Sequence, residues 1–124
     1  MNSSPEVGIS QGKVWGTTRS LFCHNNVECH LIDFKKGGYC SQHVHRSKYN
    51  RFVVLRGVLQ VLQWANSNSD VPDVTILSGG DVCDVAPGIM HCFEAESDGE
   101  AIEIYWSDLD PDDIDRCGTC GGKK

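Results

Sequence analysis

The sequence has no long apolar run and no cluster of basic residues. No segment approaches the roughly 18 apolar residues of a membrane-spanning helix, so we expect no membrane contact. The first 14 residues have neither a basic start nor an apolar stretch, so we expect no secretory leader. The formal net charge is -6, and Lys and Arg are scattered, which argues against a nucleic-acid partner.

The sequence also lacks an amphipathic helical pattern of useful length. Apolar residues occur instead in short or alternating runs that are typical of β-strands. These runs are residues 27–34, 52–55, 58–64, 73–77, 91–95 and 101–106. Gly, Asn, Ser, Asp and Pro separate the runs and supply turns. We therefore predict an all-β fold, a sandwich or barrel with little helix.

The chain has 124 residues, the size of one domain with its own core. We place this domain at residues 15–106, between an N-terminal arm, residues 1–14, and a tail, residues 107–124, that is first acidic and then rich in Cys and Gly. Seven cysteines are present, and five of them lie in strand-like segments where a small thiol packs well. This cysteine usage favours a reduced, cytoplasmic setting.

Two histidines stand one residue apart in the stretch GGYCSQHVHRSKYNRFVVLRG, residues 37–57. On a strand, side chains two positions apart point the same way, so His43 and His45 can converge on one metal ion. Two histidines on a solvated strand face fit the same pattern, and a third ligand is needed to separate the two interpretations. His91 is the best candidate, because it follows Pro87-Gly88, a rigid turn that can aim the first side chain of a strand inward.

The spacing of these residues resembles the two motifs of the cupin family. The first motif is matched by Gly37, His43, His45, Asn50 and Gly57, and the second by Gly80, Ala86, Gly88 and His91. The resemblance covers residues 15–106 and implies a jelly-roll barrel or sandwich of two antiparallel sheets with a metal near one open end. Flanking segments, above all DDIDR at 112–116, look like parts of mannose-6-phosphate isomerase-like cupins.

The resemblance implies a divalent transition metal, Zn, Fe, Mn or Ni, bound by His43, His45 and His91. Cupins usually carry Glu where Asn50 stands, so the asparagine is a weak fourth ligand or a hydrogen-bonding neighbour of the ligands; a site that has lost its metal is the alternative. Ala86 and Ala95 also depart from the family pattern, without a change in the expected chemistry. Three neutral ligands would leave a bound ion its full positive charge.

Further side chains share the inward direction of the histidines if the strands run as predicted. They are Tyr39, Ser41, Phe93, Glu103 and Tyr105. Among them Glu103 is the plausible carboxylate base, although an error of one position would turn it outward. Positive charges near the first motif, at Arg46, Lys48, Arg51 and Arg56, suit an anionic ligand or simply solubilise a sheet edge.

Three functions remain open for this protein. In each of them a small-molecule ligand binds in the open interior of the jelly roll, which we call the cup. The first is isomerase- or epimerase-type chemistry on a small polar ligand, such as a sugar phosphate, as the flanking segments imply. The second is a three-histidine iron dioxygenase that acts on a small thiol or another small molecule, which the absence of the usual Glu favours. The third is a binding or sensing module without turnover. We also expect a homodimer, since single-domain cupins often pair through sheet edges.

The tail contains Cys117-Gly-Thr-Cys120, which looks like one half of a zinc knuckle. A matching second pair is missing, because Cys23 and Cys29 are six residues apart in strand-like segments. We therefore favour free thiols over a secondary thiol site at Cys117 and Cys120.

Overall fold

The computed structural model describes residues 10–65 and 71–107, and within these ranges the chain forms strands and no helix. The strands are β1 (Ser10–Lys13), β2 (Gly16–His24), β3 (Val27–Phe34), β4 (Tyr49–Arg56), β5 (Leu59–Trp64), β6 (Asp73–Leu77), β7 (Val82–Val85), β8 (Met90–Ala95) and β9 (Gly99–Trp106). Six of them pair in a large sheet of order β1-β2-β3-β9-β4-β7, and three in a small sheet of order β6-β5-β8. All pairs are antiparallel, so the predicted all-β, two-sheet architecture is confirmed.

The core lies between the inner faces of the two sheets. Alternation along β4 buries Asn50, Phe52 and Val54 and leaves their neighbours partly or fully exposed. The apolar side chains that meet inside include Ile32, Phe34, Phe52, Val54, Leu59, Val61, Leu77, Val85, Phe93 and Ala101. Each large apolar side chain that is buried in this way stabilises the fold by about 1.5–3 kcal/mol. Burial therefore holds the small sheet against the large one, together with backbone hydrogen bonds from the segment between β3 and β4 to β8.

The runs predicted at 27–34 and 73–77 coincide with β3 and β6. The sequence pattern does not predict β1, β2 or β7. Strand β2 has one fully buried side chain, Ser20, and mostly polar residues around it, so it shows no apolar alternation. Strand β1 pairs with β2, and part of the segment assigned to the N-terminal arm therefore belongs to the large sheet. No helix in the described part of the chain is long and apolar enough to cross a membrane.

A tight turn before β8 positions the second half of the site. Gly88 has a φ of 82°, a conformation that residues with a side chain rarely adopt. Its backbone N–H donates to the His45 carbonyl oxygen at 2.8 Å. The turn therefore holds the segment that carries His45 against the start of β8.

Candidate metal centre

The three predicted histidines lie together at one end of the interior, although they come from different kinds of structure. His91 is the second residue of β8, whereas His43 and His45 lie in the irregular segment between β3 and β4. Their ring centroids are 4.3 Å (His43–His91), 5.0 Å (His43–His45) and 5.4 Å (His45–His91) apart. The expectation that His43 and His45 lie on a regular strand was wrong, since only an isolated bridge pairs His43 with His91.

Backbone hydrogen bonds bring the two chain segments together. The His43 N–H donates to the His91 carbonyl at 3.0 Å, and the His91 N–H donates to the His43 carbonyl at 2.9 Å. Together with the bond from Gly88 to His45, this exchange fixes both histidines of the irregular segment relative to β8. The convergence of the rings therefore follows from backbone pairing and not from alternation along one strand.

One nitrogen of each histidine ring is free to bind a metal ion, and hydrogen bonds identify it for His43 and His91. His43 Nδ1 lies 2.8 Å from the Ser41 carbonyl, and His91 Nδ1 lies 2.9 Å from the Ile89 carbonyl. A carbonyl oxygen only accepts, so each Nδ1 carries the proton and each Nε2 keeps its lone pair. His45 Nε2 is buried without a hydrogen-bond partner among the described residues. One ring nitrogen from each histidine lies within 4.8 Å of the others.

These donors fit a divalent transition metal. Such ions bind imidazole nitrogen at about 2.0–2.1 Å, so small side-chain rotations bring three nitrogens at this separation onto one ion. Burial lowers the pKa of His91 to about 4, with the charges of His43 and His45 adding to the effect and the Ile89 carbonyl opposing it. Burial also lowers the pKa of His45, helped by His43 and Lys48. Both rings are therefore neutral near pH 7, as metal binding requires.

A buried polar chain begins beside the histidines. Asn50 is fully buried, and its Nδ2 lies 3.5 Å from His91 Nε2 and donates to Glu103 Oε2 at 3.2 Å. The same carboxyl group is hydrogen-bonded to the Tyr105 hydroxyl. The Tyr105 ring lies 5.1 Å from the His45 ring, so this series of polar side chains begins and ends beside the candidate ligands. Asn50 Oδ1 has no hydrogen-bond partner in the described structure, and its role as a fourth ligand stays a prediction.

Burial shifts the pKa values of Glu103 and Tyr105, the two ionisable groups that follow Asn50 in this series. The pKa of Glu103 is raised by burial, against the opposing effects of Tyr105, Asn50, His30 and His43. The pKa of Tyr105 is raised by burial and by the neighbouring Glu103 carboxylate. Glu103 thus lies inside the cup, as the sequence predicts, and it exchanges a proton at higher pH than an exposed glutamate does.

Two of the predicted pocket residues lie elsewhere. Tyr39 is 67% exposed and Ser41 is also exposed, so the expectation that both face inward was wrong. The physical reason is that residues 35–48 do not form a continuous strand, and alternation does not extend through isolated bridges. Phe93 does face inward, but it packs in the apolar core, with its ring 5.0 Å from that of Trp15 and 6.0 Å from that of Phe52.

Two interior residues were missed by the sequence analysis. His30 is buried, lies 3.5 Å from Glu28 and has its ring 6.0 Å from that of Tyr105. Its position two residues before the buried Ile32 was the signal that could have found it. Cys40 takes the inward place expected for its neighbours, and its sulfur accepts the Phe93 N–H at 3.2 Å. Apolar and polar residues do not alternate around Cys40, so no sequence pattern predicts that its side chain points inward.

The cysteines within the described residues are free thiols, and two of them, Cys83 and Cys92, are buried. Burial raises the pKa of the Cys40 thiol to about 12, so it is protonated at neutral pH. The proposed thiol site at Cys117 and Cys120, like the DDIDR segment, lies outside the described residues.

Comparison with solved structures supports the same architecture. KdgF from Halomonas sp. is 17% identical with a TM-score of 0.68, over 82% of this chain and 89% of that chain. An RmlC-like cupin from Shewanella frigidimarina is 20% identical with a TM-score of 0.69, over 86% and 89%. Oxalate decarboxylase from Bacillus subtilis, a protein with Mn(II) centres, is 14% identical with a TM-score of 0.70, over 80% and 27%. At these identities the likeness concerns the fold alone.

The search for curated relatives finds no significant match. The family model for cupins, however, matches residues 23–115, which is well over half of the chain. This range contains both histidine motifs and strands β3 to β9. The protein therefore belongs to the cupin family.

Proposed function

We propose that this cupin is a metal-dependent enzyme that acts on a small polar ligand by isomerase- or epimerase-type chemistry. The observation that carries the proposal is the placement of the buried Glu103 beside the three converging histidines, joined to them through Asn50. His43, His45 and His91 would hold the metal. Glu103 would move a proton on the ligand. The donors suit Zn, Fe, Mn or Ni and do not select one of them.

Each group has a distinct task in such a reaction. A bound divalent ion supplies Lewis acidity, which polarises a carbonyl or hydroxyl oxygen of the ligand. In an aldose–ketose isomerisation, Glu103 takes a proton from the carbon next to that oxygen and returns it to the adjacent carbon, while a hydroxyl proton passes between the two ligand oxygens. This rearrangement consumes no oxidant or reductant. Epimerisation at one carbon would need a second proton donor on the opposite face of the ligand.

Asn50 and Tyr105 keep Glu103 in place during this transfer. Both donate hydrogen bonds to the carboxylate and so limit its rotation. Their donation favours the charged form, whereas burial favours the protonated form. A carboxyl group balanced in this way can accept a proton and then release it, as an acid–base catalyst must.

A positive charge stands at the edge of the same site. The Lys48 ammonium lies 5.7 Å from the centre of the Tyr105 ring and lowers the pKa of His45. The side chain is exposed, so it is free to meet a ligand that enters from solvent. In a chain of net charge -6, a local cation favours an anionic group such as phosphate or carboxylate on the ligand. This fits the sugar-phosphate class implied by the flanking sequences.

Metal analysis tests the centre. Protein purified without chelators is expected to retain a divalent metal, which the double variant His43→Ala/His45→Ala loses. His24→Ala is the matched control, because His24 is exposed on β2 and is not part of the cluster. Equal and near-zero metal content in wild type and double variant would contradict the proposal.

The reaction is tested by NMR with sugar phosphates as probes. Wild type is expected to interconvert aldose and ketose or epimeric forms, or to exchange a carbon-bound hydrogen with deuterated water. Glu103→Gln keeps the size of the side chain and should retain metal, yet lose exchange by about 100-fold or more. A Glu103→Gln variant with wild-type turnover would remove Glu103 from the mechanism.

A second candidate function is a three-histidine iron dioxygenase. It is favoured by the composition of the cluster, since no carboxylate joins the three histidines within the described residues. Oxygen consumption by the iron-loaded protein with small thiols tests it. Oxygen uptake together with silence in the NMR assay would replace the isomerase by the dioxygenase. Silence in both assays would favour a binding or sensing module.

A further inference from the structure

Two buried polar side chains of the large sheet have no role in the chemistry proposed above. Ser20 on β2 pairs directly with His30 on β3, and His30 pairs directly with Glu103 on β9. Ser20 is 0% exposed and His30 is 6% exposed, so both side chains point into the interior, as Glu103 does. We call Ser20 and His30 the inner polar pair.

Each member of the inner polar pair has an atom without a partner. Ser20 Oγ and His30 Nδ1 are buried and make no hydrogen bond among the described residues. The next inward positions on β3 hold Ile32 and Phe34, which are apolar and fully buried. Buried polar atoms in folded proteins are almost always hydrogen-bonded, because an unpaired one destabilises the fold. Two adjacent unpaired atoms therefore indicate that a group from outside the chain pairs with them.

Glu28 determines which hydrogen bond His30 can make. His30 Nε2 lies 3.5 Å from Glu28 Oε2, and the Cys23 thiol donates to the other oxygen, Glu28 Oε1, at 3.9 Å. A carboxylate oxygen only accepts hydrogen bonds, so in the neutral ring Nε2 carries the proton and Nδ1 keeps its lone pair. His30 Nδ1 is therefore an acceptor, and the contact with Glu28 fixes this tautomer.

The inner polar pair has the hydrogen-bonding capacity that one hydroxyl group requires. His30 Nδ1 accepts a hydrogen bond, and the Ser20 hydroxyl can donate one. A hydroxyl group of a ligand both donates and accepts, so it satisfies both atoms at once. A phosphate, carboxylate or carbonyl oxygen only accepts and would leave His30 Nδ1 unpaired. Neighbouring strands lie about 4.8 Å apart, which puts both side chains within reach of one ligand oxygen.

The inner polar pair lies next to the proposed reaction centre. The Tyr105 ring lies between the pair and the candidate metal ligands, 6.0 Å from the His30 ring and 5.1 Å from the His45 ring. Its hydroxyl is bonded to Glu103, the proposed base. A ligand that reaches from the histidines to the pair therefore passes along Tyr105 and Glu103. The Tyr105 ring must shift to admit it, because Ser20 Oγ and His30 Nδ1 are closed to solvent.

We propose that Ser20 and His30 form a subsite that binds a hydroxyl group on the carbon chain of the substrate. This rests on the proposed function for the place of the ligand, between the three histidines and Glu103, and names the part of the ligand that β2 and β3 recognise. The substrate is accordingly a hydroxylated carbon chain, such as a sugar phosphate, and not an alkyl or acyl compound. An analogue without the hydroxyl leaves both protein atoms unpaired, which makes the subsite selective.

Binding and turnover, measured separately on protein purified without chelators, test the subsite. The probes are ribose 5-phosphate and glucose 6-phosphate, with binding followed by calorimetry. Ser20→Ala should weaken binding of the better probe by about 10-fold, because one hydrogen bond to the ligand is lost. Its melting temperature should equal or exceed that of wild type, since alanine removes an unpaired buried hydroxyl. Thr17→Ala is the matched control, because Thr17 is exposed on the same strand.

Two variants test His30. His30→Leu removes the acceptor and should weaken binding by about 10-fold or more, whereas His30→Asn keeps a polar group near the position of Nδ1 and should retain more of the affinity. In Ser20→Ala and His30→Leu the KM should rise by a larger factor than kcat falls, because the hydroxyl is bound before and during the reaction. A purely structural role would give equal affinity for the two His30 variants.

The outcomes separate the subsite from the proposed reaction. Sugar-phosphate binding that Ser20→Ala weakens, without any turnover, would support the subsite and remove the isomerase. Turnover with an unchanged KM in both Ser20→Ala and His30→Leu would leave the isomerase and overturn the subsite. A lower melting temperature of Ser20→Ala with unchanged binding would mean that a buried water pairs with the hydroxyl, which also contradicts the subsite. Wild type that binds neither probe would contradict it as well.

Discussion

The interior of the cup has an apolar end and a polar end, and the same strands contribute side chains to both. Strand β4 contributes Phe52 to the apolar end and Asn50 to the polar end, and β8 contributes Phe93 and His91 in the same way. The apolar end is held by burial alone. The polar end buries groups that need partners, and His45 Nε2 and the Asn50 carbonyl oxygen have none among the described residues. Alternation thus decides which side chains enter the interior, and position along the strand decides what they do there.

The largest effect should come from the apolar end. Phe52 is 1% exposed and its ring lies 6.0 Å from that of Phe93, so Phe52→Ala should lower the free energy of unfolding by about 3–5 kcal/mol. Urea denaturation of the metal-free protein measures this. Leu55→Ala is the control, because Leu55 is 48% exposed. Equal losses of stability in the two variants would contradict the conclusion that buried side chains of the apolar end, such as Phe52, stabilise the fold.

Acid should weaken the polar end. The pKa of His91 is lowered to about 4 in the folded chain, chiefly by burial, against about 6.5 when unfolded. The unfolded chain therefore binds the proton at a higher pH than the folded chain does. The stabilisation of the folded state by neutral His91 is complete above pH 6.5 and is lost as the pH falls toward 4. For the metal-free protein, the free energy of unfolding should fall by about 3 kcal/mol over this range.

The variant His91→Gln isolates this contribution. Between pH 6.5 and 4 its stability should fall less steeply than that of wild type, in urea denaturation of metal-free protein. Glu103, whose pKa is raised, acts in the opposite sense, and it remains in both proteins. Parallel pH profiles for the two proteins would mean that His91 is not held neutral by burial.

Metal should stabilise the polar end by a comparable amount. A divalent ion at about 100 times its Kd raises the free energy of unfolding by about 2.7 kcal/mol if it binds the folded chain alone. Wild type and His24→Ala should both gain this stability with zinc, as followed by thermal unfolding. His45→Ala should gain little. A gain that survives in His45→Ala would place the ion elsewhere.

The smallest effect concerns Asn50. Asn50→Asp places a second carboxylate next to Glu103, which should destabilise the metal-free protein by about 2 kcal/mol through like-charge repulsion in a buried place. A bound ion neutralises the pair, so metal should remove most of the loss. Asn50→Asp with wild-type stability in both states would show that Asn50 and Glu103 do not share a buried environment.

Much of the fold follows from local pattern. In Val27–Phe34, buried and partly exposed side chains alternate from His30 to Phe34, and the apolar residues of this run were enough to predict the strand. Gly16–His24 is equally a strand, but its partner strands rather than its own apolar residues hold it, so no pattern reveals it.

The site was predictable where spacing carries the information. His43, His45 and His91 follow from the cupin motifs, and the structure brings them together. Tyr39 was misplaced because the prediction extended alternation into a segment without regular pairing. His30 was overlooked although it has the same parity as the buried Ile32 and Phe34. Pairing between segments that are distant in the sequence decides which of these side chains point inward. That pairing cannot be inferred from one local stretch of residues.

The reciprocal hydrogen bonds between His43 and His91 also bear on how fast the proposed centre would exchange a metal ion. Protein hydrogen bonds alone join the two backbones, at 2.9 and 3.0 Å, so this link does not depend on a ligand bond to an ion. Loading therefore needs no folding step and little loss of chain entropy. The association rate should be set by removal of water from the incoming ion, and the slow step of release by rupture of ligand bonds. Chelators should strip the metal without unfolding the protein.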